Sequence, residues 1–292
     1  MKSIIRIYVS CHRQFYVPPH EFLVPVQVGS AGAAESFPGM LRDDAGDNIS
    51  AKNPSYCELT AQYWAWKNEA ADFYGFFHYR RYLSFRRTAP GRGRPPYRVY
   101  RYPDGKTLSG LGFEPEHMRR VIEPCDIIVP LGEEMRVSVA EQYRRGRHQS
   151  AEDLRLAVGI LREMHPEFSA SAEEYLSGSV HYFGNLFVMR KPRFFSYCEW
   201  LFPILSEFDR RKDTSGYGGQ AARVDGYLAE RLLGIYYTQM KKDAECRCME
   251  LPRAHFEGVA GPGSAYLMKK AVNSILPPGS ARRAFAKKMF RR

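Results

Sequence analysis

This sequence predicts an α/β fold, with a mainly parallel central sheet covered by helices on both faces. Short apolar runs of strand length alternate with longer stretches of helical periodicity along most of the 292 residues. Clusters of Gly, Pro, Asn and Asp separate them, and no internal repeat is visible. Alternation of this kind is the signature of strand–helix–strand units, whose strands pair in parallel.

Taken in order, residues 3–9 alternate apolar and polar side chains and read as a first strand, ended by Ser10, Cys11 and His12. Residues 22–28 form a second extended run, and Pro25 within it suits a strand edge or end. Residues 43–48 are a turn-rich acidic loop. Asn53 and Pro54 read as an N-cap and a first-turn proline, and Tyr56, Leu59, Tyr63 and Trp66 follow at helical spacing. The spacing predicts one helix over 54–69. Residues 73–79 are a buried strand that runs straight into His78-Tyr79-Arg80-Arg81-Tyr82. Residues 86–112, rich in Arg, Pro, Gly and Tyr, read as one long loop.

A further strand is expected at 125–130. Ser150 to Asp153 resembles a capping box opening a helix with Leu154, Ala157, Val158 and Leu161 on its apolar face. A strand at 185–189 leads into a helix over 192–211. The last helix, 220–241, buries Val224, Tyr227, Leu228, Leu232 and Ile235 on one side. Arg231 falls near that stripe, where a buried carboxylate would be its natural partner.

The net charge of +11 is localised. Residues 77–106 carry a net +8 and residues 281–292 a net +6, which leaves −3 for the rest of the chain. A near-neutral domain with two basic appendages is a poor nucleic-acid-coating surface, so no nucleic-acid partner is expected. The expected division is one domain over 1–276 and a basic amphipathic tail over 277–292. Phe285 and Phe290 sit among the tail's cations, which suits contact with an anionic membrane surface. No apolar run is long enough to span a membrane, and Arg6 interrupts the apolar start. A cytoplasmic protein, peripheral at the inner face of the membrane, is therefore expected. The six cysteines match no zinc pattern and read as reduced thiols.

Ligands of open α/β sheets bind outside the carboxyl ends of the strands. Ser10 and His12, the run 78–82, and Asn185 are therefore expected to share one site. Arg80 and Arg81 can grip diphosphate oxygens by charge-assisted, bidentate hydrogen bonds, and Tyr79 can stack on a base or sugar. If the strand continued, only one of the two arginines would face a cleft. Lys52 and Asn53 stand at a helix N-terminus, a natural anion site, although Asn53 could be only a cap. Asp43, Asp44 and Asp47 could chelate a divalent cation or could simply build a turn. Glu230 and Arg223, seven residues apart, share a helix face. Glu230 reads as a general base, as an anchor for a sugar hydroxyl, or as an ion-pair partner of Arg223 or Arg231. His148 and His181 are isolated histidines.

Three strings go further: Asp47-Asn48-Ile49-Ser50-Ala51-Lys52-Asn53-Pro54-Ser55-Tyr56-Cys57-Glu58-Leu59-Thr60, then Tyr63-Trp64-Ala65-Trp66-Lys67-Asn68, then Gly75-Phe76-Phe77-His78-Tyr79-Arg80-Arg81-Tyr82. With 184–189, 197–205 and 228–233, they resemble a bacterial family first catalogued as a domain of unknown function and treated as GT-A glycosyltransferases. That family is found in capsule, exopolysaccharide and O-antigen gene clusters, and some members are linked to galactofuranose transfer. The resemblance implies a GT-A-like, Rossmann-like fold, a nucleotide-sugar donor, UDP-linked by expectation, and a saccharide or lipid-linked acceptor. It places the donor near Ser10, His12, Asp47, Asn48, Lys52, Asn53, Tyr56, Tyr79, Arg80, Arg81 and Asn185. His148, His181 and Arg223 are the acceptor candidates, and Glu230 and His78 the catalytic ones.

GT-A enzymes usually carry an Asp-x-Asp that holds a metal on the donor diphosphate. Here His78-Tyr79-Arg80-Arg81 stands at the comparable place, so transfer with little or no metal dependence is expected. Mn or Mg held by the 43–47 loop is the alternative. The stretch 86–101 departs from the family pattern, which leaves acceptor identity open. Asp225 stands where an aromatic or apolar residue is expected in members of that family and is not nominated as a base. A non-catalytic carbohydrate-binding or assembly factor is the competing function; it would neither hydrolyse nor transfer a donor sugar.

Overall fold

The computed structural model describes residues 2–86 and 95–258. The strands are β1 (Ile5–Cys11), β2 (Leu23–Gln27), β3 (Leu41–Arg42), β4 (Phe73–His78), β5 (Arg81–Leu83), β6 (Tyr97–Tyr100), β7 (Ile127–Pro130), β8 (Glu133–Glu134), β9 (Val180–His181), β10 (Phe187–Arg190), β11 (Cys248–Leu251) and β12 (Arg253–Phe256). The helices are α1 (Asn53–Tyr56), α2 (Leu59–Asn68), α3 (Gly105–Gly110), α4 (Pro115–Ile122), α5 (Val139–Arg144), α6 (Ala151–Met164), α7 (Ser169–Ser177), α8 (Lys191–Arg211) and α9 (Val224–Met240).

The main sheet runs β11-β7-β10-β4-β1-β2-β3, and β5, β12 and β6 extend it from the end of β4. Within the main path only β10 is antiparallel to its neighbours. The expected mainly parallel α/β sheet is the one observed. Pro25 is tolerated in β2 because β3 pairs only with Val26 and Gln27, so the proline lies where β2 has no outer neighbour.

Side-chain alternation assigns the two faces. Ile7, Val9, Phe73 and Phe77 enter one core, with α3, α4, β5 and β12 around it. Tyr8, Tyr74 and Phe76 enter the larger core, closed by α2 and α5 to α9. By the same parity Ser10 and His78 face the helix-rich side. Gly75 lies on the opposite face, where a Cβ would meet Ile7 Cγ1 at 2.9 Å.

Three expectations about elements change. First, β1 continues through Ser10 and Cys11, because Ser10 still pairs with His78. Second, the helix expected over 54–69 is two helices. Cys57 takes a positive φ of 53°, and the Asn53 side chain donates to Cys57 O at 2.7 Å and Thr60 Oγ1 at 3.3 Å. Asn53 therefore closes α1 rather than capping its start. Third, 86–112 is not one loop, since β6 pairs with β12 and Asp104 caps α3 by accepting from Thr107 N. The remainder of that basic stretch, residues 87–94, lies outside the described residues, as do 259–292 with the expected membrane-contacting tail. No helix among the described residues is long and apolar enough to cross a membrane.

Candidate active site

At the carboxyl ends of β1 and β4 a cleft of about 860 Å³ opens. Its walls include Ser10, His12, Asn53, Glu58, His78, Tyr79, Arg80, Arg81, Asn185, Arg223 and Glu230. The three polar clusters expected to converge are thus in one place, because β1 and β10 flank β4 in the sheet.

Arg80 and Arg81 both face the cleft, against the parity expectation. The chain turns at Tyr79-Arg80 and returns antiparallel as β5, so the two are not successive residues of one strand. Arg80 lies over the Tyr79 ring at 5.0 Å. Tyr79 is only 5% exposed and stacks on Phe15 at 3.6 Å. Its ring is therefore already covered, and the stacking role expected for Tyr79 does not fit the geometry. His78 accepts from Arg80 N through Nδ1 at 3.3 Å. Burial first, then Arg81 and Arg80, hold its pKa well below the usual imidazole range. His12 is pushed down as well, by burial and then by Arg13, Arg80 and Arg223. At neutral pH the positive charge of the cleft is therefore carried by guanidinium groups.

The opposite wall is a turn at Gly184-Asn185, both with positive φ (103° and 48°). Glycine adopts that region freely and asparagine tolerates it better than most residues. Two carboxylates pin the turn to the helices. Gly184 N donates to Glu230 Oε1 at 2.5 Å, and Asn185 Nδ2 donates to Glu58 Oε1 and to Gly226 O, each at 3.0 Å. Glu230 also pairs with the buried Arg231 at 2.5 Å. Of the alternatives for Glu230, the ion pair with Arg231 is present; Arg223 instead donates to Cys57 Sγ at 3.1 Å and to Gln220. Burial raises the pKa of Glu58. Gly226 lets α1 and α9 approach, since a Cβ there would meet Cys57 Sγ at 3.2 Å.

Six nominated residues stand outside this cleft. Asp47 is exposed and accepts from Tyr63 OH, and Asn48 spends its amide on Asp44 O, Gly46 O and Ser50 N. Lys52 and Tyr56 both reach Asp209 Oδ2 at 2.9 Å, on α8. His148 is exposed beside the cleft residue Gln149, and His181 is buried against Val137 O and the Phe183 ring. The acidic loop has a structural task. Asp43 is fully buried and accepts from Gly29 N, Ser30 N, Ser50 Oγ and Thr60 Oγ1, while Asp44 pairs with Arg42. No group of three or more His, Cys, Asp or Glu side chains among the described residues is arranged to hold a metal ion.

Sequence reasoning missed Glu58 and Asp225. Glu58 was hidden at a helix break that no pattern announced. Asp225 is fully buried and bonded by Ser55 Oγ, and burial pushes its pKa up to about 7 against the lowering effect of that bond. The folded state thus holds a proton that the unfolded chain releases above the ordinary aspartate value of 3.8. Stability is expected to fall as pH rises from about 4 to about 7, by at most about 1.4 kcal/mol per unit from this group. Urea titrations at pH 5, 6, 7 and 8 should show a shallower decline for Asp225→Asn, with the decline that remains including Glu58. Parallel profiles for the variant and the native chain would remove Asp225 as the cause.

Residues 6–242 match the model of a family described as a domain of unknown function, DUF4422. Among solved structures, the chain is similar to the WbbM bifunctional glycosyltransferase in its apo form. That match has 34% identity and a TM-score of 0.83, over 89% of this chain. It covers 46% of the WbbM chain, so this chain spans less than half the length of that relative. The shared fold is mixed α/β and GT-A-like. No curated protein matches.

Proposed function

Since this chain belongs to the DUF4422 family, we propose that its cleft transfers a sugar from a nucleotide sugar to a saccharide acceptor. The observation that carries the reading is the gathering of Arg80, Arg81 and Arg223 around one cleft at the carboxyl ends of β1 and β4. Breaking the bond between the sugar's anomeric carbon and the diphosphate oxygen leaves negative charge on the diphosphate. Guanidinium groups gathered at the cleft offset that charge where other enzymes use a metal. We assign the donor as UDP-linked, with galactofuranose the first candidate, and the acceptor as a lipid-linked or growing cell-surface polysaccharide. Similarity to a glycosyltransferase over most of this chain supports the reaction class. The basic tail would bring the acceptor's membrane surface close, with the protein at the inner face of the cell membrane.

Neutral His78 can exchange a hydrogen bond with the donor without adding charge. Glu230 pairs with Arg231 and is held by Gly184 N, yet each carboxylate oxygen keeps a second lone pair. We assign it to receive the proton of the acceptor hydroxyl as the new glycosidic bond forms. A thermal-shift and turnover screen of UDP-sugars, with EDTA or with Mn²⁺ and Mg²⁺, tests the whole reading. One UDP-sugar should stabilise the protein equally with and without EDTA. Glu230→Gln should lower turnover by about a hundredfold while leaving that stabilisation in place. Loss of turnover in EDTA with recovery in Mn²⁺ would overturn metal independence. Donor binding with no hydrolysis or transfer would favour a carbohydrate-binding factor.

A further inference from the structure

Ser10 Oγ and Asn185 Oδ1, on the cleft walls, are among the buried polar atoms that have no hydrogen-bond partner among the described residues. Each residue is 3% exposed. They stand on either side of His78. Ser10 pairs with His78 across β1 and β4, and Phe187 of β10 pairs with Phe76 of β4, which puts Asn185 two residues further along, level with His78. A row of three polar residues therefore crosses three adjacent strands at their ligand-binding end.

The orientation of the Asn185 amide follows from its neighbours. Both N–H groups are taken by acceptors, Glu58 Oε1 and Gly226 O. The oxygen is left as an acceptor with nothing to accept, on a turn whose backbone is pinned at Gly184 N by Glu230. Buried polar groups in folded proteins are nearly always bonded, and an unbonded one on a cleft wall calls for a partner from outside the chain, water or ligand. An acceptor-only oxygen beside a hydroxyl that can give or take calls for a ligand bearing O–H groups.

We infer that Ser10 Oγ and Asn185 Oδ1 bind hydroxyls of the sugar being transferred, and that Glu58 and Gly226 position the Asn185 amide for it. This rests on the reading of the cleft as a nucleotide-sugar site. The nucleotide's ribose also carries hydroxyls, but the location favours the transferred sugar. A Cβ on Gly184 would lie 3.9 Å from Arg81 Cδ, so the Asn185 turn is beside an arginine assigned to the diphosphate. The same turn touches Glu230, assigned to the acceptor. A ring whose anomeric carbon passes from diphosphate to acceptor must lie between those two groups, whereas the ribose lies beyond the diphosphate.

Calorimetric titration of the full chain with UDP and with UDP-galactofuranose tests this, with UDP-galactose and UDP-glucose as alternative donors. Ser10→Ala removes a hydroxyl that has no protein partner, so it should fold normally. Asn185→Gly removes the amide and keeps the left-handed backbone. Each should weaken the UDP-sugar by about tenfold and leave UDP within about twofold. Equal weakening of both ligands would move the site to the ribose and overturn the inference. Unchanged binding of both, in a native protein that binds the donor, would overturn it while leaving the proposed reaction standing. A native protein that binds neither ligand would end both.

Discussion

Arg81→Ala is expected to reduce sugar transfer by about 10²–10³-fold, the cost usual for removing one preorganised group that stabilises transition-state charge. Arg81 lines the cleft next to the Gly184 turn. Two neighbouring guanidinium groups are committed elsewhere, Arg231 to Glu230 and Arg253 to Glu133, so neither can take over. Arg81→Lys should fall between, because an ammonium keeps the charge and loses the planar fork. The loss should appear mainly in kcat, as charge on the diphosphate grows while the bond breaks. It should not be restored by Mn²⁺. A loss below about threefold would show that Arg81 is only a solvated surface group.

Asp43→Ala is expected to give the largest loss of stability, on the order of 3–5 kcal/mol. Its carboxylate gathers two backbone N–H groups and two hydroxyls at full burial. Thr60 Oγ1 can fall back on Cys57 O, at 3.1 Å, but Gly29 N and Ser30 N have no such reserve in these bonds. The carboxylate ties the turn after β2 to the start of α1 and α2, so the cleft's Asn53 and Glu58 would lose their footing with it. A drop in melting temperature on the order of 10 °C should follow, the same with and without EDTA. A native protein that EDTA destabilises equally would instead make Asp43 a metal ligand.

Helices α6 and α8 were legible to within a residue or two, whereas α9 starts at Val224, four residues after the expected 220. Helix α8 begins at Lys191, and Leu154, Ala157, Val158 and Leu161 are all buried. The strands β1, β4 and β10 were legible too, the first through its alternation and the other two through their short apolar runs. The break at Cys57 was not legible. It is closed by the Asn53 side chain, a contact that competes with helix continuation only once α1 sits on α9 at Gly226. Lys52 and Tyr56 were misplaced for the same reason. At the sequence level they share a string with Asn53, but their side chains leave on the α8 side to meet Asp209.

By itself, the sequence determined the α/β class, the strand ends that bear polar residues and the concentration of cations at 78–82. Periodicity and composition are local, and these features depend only on local order. Tertiary structure decided which further groups join the cleft and how they face it. The turn at Tyr79-Arg80 brings both arginines to one side, and packing of α1 on α9 carries Glu58 to Asn185. The same folding buries Asp43 as a hub, so the acidic loop serves as a brace. Burial sets which charges survive and which are satisfied within the chain, and burial is a property of the whole fold.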